Sequence, residues 1–206
     1  MPASTASAKR RRADMRAAGV SSPWVMFLKG FFKHPVMVGA VASSSQRLVQ
    51  RMLGKVDWAN CKLFVEYGPG VGTFTRPILK HLAPDAKLIV IDTNPDFIRY
   101  LKHVIDDPRL IAVNDSASEI KRIIADHGFD HADFIASGLP FSTLPTGVGD
   151  AIAHATHDVL RKDGAFLVYQ YNPKVRNFLA PYWEHIDHEV EWWNLPPAQL
   201  WWAWKK

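Results

Sequence analysis

Three carboxylates and a set of closely spaced glycines mark the chemistry of this 206-residue chain. In "LFVEYGPGVGTFT", Leu63 to Thr75, an apolar run ends in Glu66, and Gly68, Gly70 and Gly72 follow with one residue between each. A dinucleotide fold uses G-x-G-x-x-G to seat a pyrophosphate over a helix N-terminus. Here Thr73 holds the place of that third glycine, and no Gly-Lys-Ser/Thr ending makes a Walker loop. A carboxylate at the head of the loop repels phosphate and attracts a cation. The tighter spacing led by Glu66, with Thr73 and Thr75 beside it, therefore suits a sulfonium that carries an amino-acid ammonium. That ligand is S-adenosylmethionine, which leaves as S-adenosylhomocysteine.

Two further acids extend the pattern. Asp92 ends "LIVID", 22 residues beyond Gly70, where a carboxylate can accept from both ribose hydroxyls, with Thr93 and Asn94 next in line. Asp115, in "VNDSA", stands where it can accept from the adenine amine, with Ser116 and Ala117 along the ring. One acid at a strand end is an ordinary solvated residue. Three at the ends of successive strands, one of them beside a glycine loop, define a class I methyltransferase pocket.

The methyl acceptor falls to "SGLPF". Ser137, Gly138, Leu139, Pro140 and Phe141 follow the fourth apolar run. Such a loop turns backbone carbonyls and one polar side chain toward a nitrogen, and an aromatic ring nearby stabilises a cation. An alkylammonium must lose a proton before it attacks, after which positioning does most of the work. His34, Tyr171 and a water all stand open as the proton's destination, and Phe141 can equally serve to pack the loop.

These residues need a frame. The runs "KLFVEY", "KLIVID", "RLIAVN", "ADFIAS" and "GAFLVYQY" read as buried strands, and "FIRYLKHVI" and "SEIKRIIADHG" between them carry helical periodicity. Strand and helix in succession imply a parallel sheet covered on both faces. "HEVEWWNLPPAQLWWAWKK" reads instead as two antiparallel strands at the sheet edge, joined around Asn194 to Pro197. The expected fold is α/β and Rossmann-like, a seven-stranded, mostly parallel sheet with an antiparallel C-terminal hairpin and an N-terminal helical arm.

Charge sets that arm apart. Residues 1–55 hold ten Lys/Arg and one acid, whereas the remaining 151 hold fifteen Lys/Arg and nineteen acids. A basic arm on a mildly acidic body seeks a polyanion, either an anionic lipid surface or nucleic acid. Residues 1–20 read as a disordered basic tail and 21–55 as a helical arm or lid, with 56–206 as the cofactor-binding domain. Ser21 or Ser22 can cap a helix in which Trp24, Phe27, Leu28 and Phe31 fall at helical spacing, with Phe32 adjacent and Lys29 and Lys33 on the flank. A second helix follows in "SSSQRLVQRML". "KRRR" lacks interleaved aromatics, which disfavours RNA. No run reaches the ~18 apolar residues of a spanning helix. The lone Cys61 and the lack of an apolar signal core fit a cytoplasmic protein, peripheral on the membrane's inner face. The histidine spacing forms no metal site. Five of the eight tryptophans crowd the last fifteen residues, for core packing or, second, interfacial anchoring.

From about Pro23 to the C-terminus the chain resembles the bacterial phospholipid N-methyltransferases. "VEYGPGVGTFT", "VIDTN", "NDSA" and "IASGLPFSTLP" carry the resemblance together with "FLKGFFKHPVMVGAVASSSQRLVQRM" and "NLPPAQLW". The resemblance implies methylation of the phosphatidylethanolamine amine, up to three times, toward phosphatidylcholine. The related rRNA adenine dimethylases carry Asn-Leu-Pro-Tyr in the fourth loop. Here Ser137 and Phe141 replace the amide and the tyrosine, which weakens a nucleobase reading.

Overall fold

The computed structural model describes residues 46–194 and 197–206. The basic tail, the stretch Trp24 to Lys33, His34 and the expected serine caps lie outside the described residues. Strands β1 (Leu63–Tyr67), β2 (Lys87–Asp92), β3 (Leu110–Asn114), β4 (Ala132–Ser137), β5 (Leu160–Gln170), β6 (His185–Glu191) and β7 (Ala198–Trp204) form one sheet in the order β3-β2-β1-β4-β5-β7-β6. β1 to β5 run parallel, while β7 is antiparallel to both β5 and β6. The expected seven-stranded, mostly parallel sheet with an antiparallel C-terminal hairpin is borne out, while up to Ser45 the expected N-terminal helical arm falls outside the described residues. The hairpin differs in one respect: its second strand lies inside the sheet and its first is the edge.

The chain leaves β1 toward β2 and β3, then returns to start β4 on β1's other side. Such a reversal opens a crevice at the C-terminal ends of the strands on either side of it. Near-continuous Val, Ile and Leu make the central strands suitable for burial on both faces; all five residues of β1 are buried. Alternation sorts the side chains: Phe64 joins the layer under α1 (Gln46–Leu53), α2 (Thr75–His81) and α3 (Pro95–Val104). Leu63, Val65 and Tyr67 join the opposite layer, with α4 (Ile120–Asp126), α5 (Val148–Val159) and α6 (Arg176–Leu179).

Sequence reasoning placed residues 21–55 in the arm and began the domain at 56; the part of that stretch the structure describes packs on the sheet. α1 buries Leu48, Val49, Met52 and Leu53 in the first layer, and Trp202 Nε1 donates to the Met52 carbonyl at 3.0 Å. Arg51 reaches the Val190 carbonyl at 3.0 Å and Glu191 at 3.1 Å, and Lys55 pairs with Asp187 at 3.1 Å. The helix is thus part of the domain body. α5 also has no counterpart in the sequence reading: its alanines and small polar residues blur the apolar stripe. β5 begins earlier than "GAFLVYQY" suggests. Asp163 adopts φ 61°, and Lys205 exchanges bonds with Asp163 and Gly164, so the strand carries an irregularity and continues back to Leu160.

Candidate active site

All the predicted acids lie at the C-terminal edge of the sheet. Glu66, second from last in β1, faces the α1–α3 side, where α2 begins. It is 4% exposed, and Thr75 Oγ1 donates to its Oε2 at 2.7 Å. Burial pushes the Glu66 carboxyl up to about 8, opposed by the Thr75 hydrogen bond and helped by the negative Asp92. Asp92 is itself pushed up to about 6 by withdrawal from water, with backbone N–H groups of Asn94 and Gly70 holding it lower than burial alone would. The Asn94 bond measures 2.8 Å.

The loop between them could be built only from glycine. Gly68, Gly70 and Gly72 have φ of 65°, 53° and 86°, where a Cβ is strained. Gly68 N–H donates to the Ile91 carbonyl at 2.9 Å, which stitches the loop to the end of β2, and Gly72 N–H closes a turn on Pro69 at 2.9 Å. Thr73 is half-buried on the outgoing side.

Neither Glu66 nor Asp92 has a salt-bridge partner among the described residues. A buried carboxylate beside a half-buried one must then keep a proton or receive a cation. That is the electrostatics a sulfonium with an ammonium requires, and the residues present fit the ligand expected from the sequence.

The remaining predicted contacts divide. Asp115 is at the same edge, its backbone N–H bonded to the Asp92 carbonyl at 3.2 Å. Its carboxylate accepts from Ser116 N–H at 2.7 Å and from Arg122 at 2.5 Å. Ser116 pairs with Ser118 Oγ at 2.8 Å, and Ala117 is buried in the core rather than displayed as a ring-lining surface. Asn94 caps α3, its Oδ1 accepting from Asp96 N–H at 3.0 Å, while Thr93 is exposed.

The acceptor loop meets the glycine loop directly. Tyr67 of β1 and Ser137 of β4 are partners in register, and Gly138 N–H donates to the Tyr67 carbonyl at 3.3 Å. A Cβ added to Gly68 would lie 3.1 Å from Leu139 Cδ2. Ser137 is fully buried and its Oγ accepts from Leu139 N–H at 3.1 Å, so it shapes the loop from below. Phe141 departs from its expected stacking role. Its ring is 1% exposed and is held by Phe166 and Phe178 at centroid distances of 6.2 and 5.7 Å, the packing alternative. Tyr171 is half-buried against the α1–α3 layer.

Two residues of this site went unnoticed in the sequence. Tyr169 stacks on Phe74 at 4.7 Å and brings its hydroxyl to the place a Gly138 Cβ would occupy. Gln170 is buried and donates from Nε2 to the Leu139 carbonyl. Both end β5, beside the loop after β4. The available signal was "VYQY", whose polar residues close an otherwise apolar central strand at its C-terminal end.

No family profile matches the chain. Among solved structures, the precorrin-6y methyltransferase of Geobacter metallireducens superposes with TM-score 0.61 at 15% identity, over 80% of this chain and 94% of that one. A 16S rRNA methyltransferase of T. thermophilus, solved with AdoMet and guanosine, superposes with TM-score 0.59 at 17% identity, over 77% of this chain and 42% of that one. The sheet order and these likenesses define the Rossmann-like fold shared with these methyltransferases.

The ornithine lipid N-methyltransferase of Singulisphaera acidiphila is 30% identical over 175 residues, 84% of this chain and 91% of that protein. The chain belongs to that family of bacterial lipid N-methyltransferases. The ribosomal RNA small subunit methyltransferase A of Mycoplasma mycoides is 25% identical over 134 residues, covering 61% of this chain and 48% of that protein.

Proposed function

We propose that the protein methylates the amine of phosphatidylethanolamine, and of its mono- and dimethyl forms, toward phosphatidylcholine at the inner face of the cytoplasmic membrane. The observation that carries this is the near full-length similarity to an enzyme acting on a lipid, combined with a fourth loop that has Ser137 in place of a base-gripping amide. When bound, S-adenosylmethionine supplies an electrophilic methyl group on its sulfonium. Glu66 and the glycine loop hold its methionine end, with Thr73 and Thr75 alongside. Asp92 holds the ribose, and Asp115 with Ser116 the adenine. Leu139 and Tyr169 shape the space where the amine arrives, and Gln170 and Ser137 fix the loop that contains it. The stretch Trp24 to Lys33 recruits the anionic surface.

Asp92→Ala is expected to weaken S-adenosylmethionine binding by about tenfold or more, since a charge-assisted hydrogen bond contributes about 1.5–3 kcal/mol. Calorimetric titration measures it, and unchanged affinity would remove the ribose assignment.

Acceptor identity is tested by offering radiolabelled S-adenosylmethionine beside three acceptors. These are anionic vesicles containing phosphatidylethanolamine, the same vesicles containing ornithine lipid instead, and total RNA. Label in the first supports the proposal, and chromatography of the products counts the methyl groups added. Label confined to the second keeps a lipid amine but moves the headgroup. Label in RNA overturns the lipid reading.

A further inference from the structure

We infer that the turn carrying Trp192 and Trp193 is a second membrane anchor, one that presses the methyl-transfer edge of the sheet against the bilayer. The inference rests on the lipid-acceptor reading above and adds to it the surface that delivers the substrate. Trp192 and Trp193 are 74% and 79% exposed, the large apolar side chains left in water among the described residues. Other tryptophans of the same segment are inside: Trp201 and Trp202 are 4% and 0% exposed. Two adjacent bare indoles are costly to keep in solvent and mark a contact surface.

Trp193 is tied to the strand beneath it. Glu191, the last residue of β6, is fully buried and accepts from Trp193 N–H at 3.0 Å. Its other oxygen meets Arg51 at 3.1 Å and Arg47 at 3.7 Å. The Arg47 guanidinium also lies 6.0 Å from the Trp193 ring centroid, with the side chain 62% exposed. The indoles are thereby displayed next to a solvated cation.

Register fixes where they point. Gln170 at the end of β5 pairs with Gln199, and Glu191 pairs with Ala198. The β6–β7 turn consequently leaves the sheet at the edge where the ends of β1, β2 and β4 carry Glu66, Asp92 and Ser137. An anchor there brings the mouth of the site to the lipid headgroups and leaves the opposite edge in water.

The occupant this chemistry suits is the headgroup layer of an anionic bilayer. Indole has an apolar body and a polar N–H, and it settles at the membrane–water boundary. A turn a few residues long reaches only the boundary layer, which is the depth at which amine headgroups lie. Arg47 adds a donor for lipid phosphate and belongs to the basic first 55 residues of the chain. Aromatic rings and cations thus converge on one anionic, amphipathic surface.

The test uses the full chain carrying Trp192→Ala with Trp193→Ala, compared with Trp192→Phe with Trp193→Phe. Sedimentation with vesicles of phosphatidylethanolamine and phosphatidylglycerol is expected to show an affinity loss of about tenfold or more for the alanine pair and a smaller loss for the phenylalanine pair. Calorimetric affinity for S-adenosylmethionine and methylation of monomeric short-chain phosphatidylethanolamine should stay at wild-type levels. Wild-type sedimentation by the alanine pair overturns the anchor. So does intact vesicle binding accompanied by loss of self-association, which would assign the turn to a second copy of the chain. Failure of the wild-type protein to methylate any lipid strikes the acceptor reading instead, and is told apart because sedimentation does not depend on turnover.

Discussion

Glu66→Gln is expected to stabilise the ligand-free protein and, in the same variant, to weaken S-adenosylmethionine binding by about tenfold or more. Both effects have one cause. The carboxyl is buried beside Asp92 with a folded pKa of about 8 against an ordinary value of 4.5. Between those two values the folded chain holds a proton that the unfolded chain has released. Stability therefore falls as pH rises from 4.5 to 8 and levels off above 8. An amide removes that dependence. It also leaves an N–H pair that must find a partner, which offsets part of the gain. A net stabilisation of about 2 kcal/mol near pH 8 corresponds to roughly 4–8 °C in the unfolding midpoint.

Ligand binding runs the other way, because an arriving ammonium favours the ionised carboxylate that glutamine cannot supply. Wild-type binding at pH 7 should accordingly release a proton, detected as a calorimetric heat that varies with the buffer's ionisation enthalpy. The variant should release less. If its midpoint matched the wild type across pH 5 to 8.5 and its binding released the same proton, Glu66 would not be the group under strain.

The second large effect belongs to the acceptor loop. Gly138→Ala should lower kcat by about a hundredfold, while S-adenosylmethionine affinity changes little. The added Cβ would lie 2.3 Å from Tyr169 Oη and 2.8 Å from its Cζ. The ring cannot simply swing aside, since it is 7% exposed and stacked on Phe74. The loop must move instead, and an ångström of displacement at a reacting nitrogen is enough for a loss of that size. Adding Tyr169→Phe deletes the nearest atom and should recover part of the rate. Steady-state kinetics on lipid vesicles decide it. A single variant with wild-type turnover would show that the loop does not position the acceptor.

Both variants concern a site that the sequence disclosed unevenly. Glu66, the three glycines and Asp92 were legible because each needs a residue type at a fixed place along the chain: an acid at a strand end, or glycine where φ is positive. The strands were legible because burial on both faces leaves unbroken apolar runs. Tyr169 and Gln170 were not, since they reach the loop across the sheet from 31 residues away, and only pairing of β4 with β5 brings them there. Phe141 was open to two readings because an aromatic after Leu-Pro can face either way, and only the folded chain brings Phe166 and Phe178 against its ring. The packing of α1 on the sheet was hidden for a related reason. Charge counts grouped α1 with the basic arm, whereas its apolar stripe and its carboxylate partners on β6 attach it to the sheet.

That attachment has a consequence for aggregation. Among the described residues β6 is a margin of the sheet, and such margins template pairing with other chains unless something blunts them. Here Asp187, Glu189 and Glu191 recur at every second residue, and Arg51 and Lys55 hold them to α1. Arg51 also occupies the Val190 carbonyl, an acceptor that an intruding strand would otherwise use. A shortened chain that begins beyond Leu53 would leave this margin open and its acids repelling one another. One that retains Gln46 onward keeps that cover over the margin.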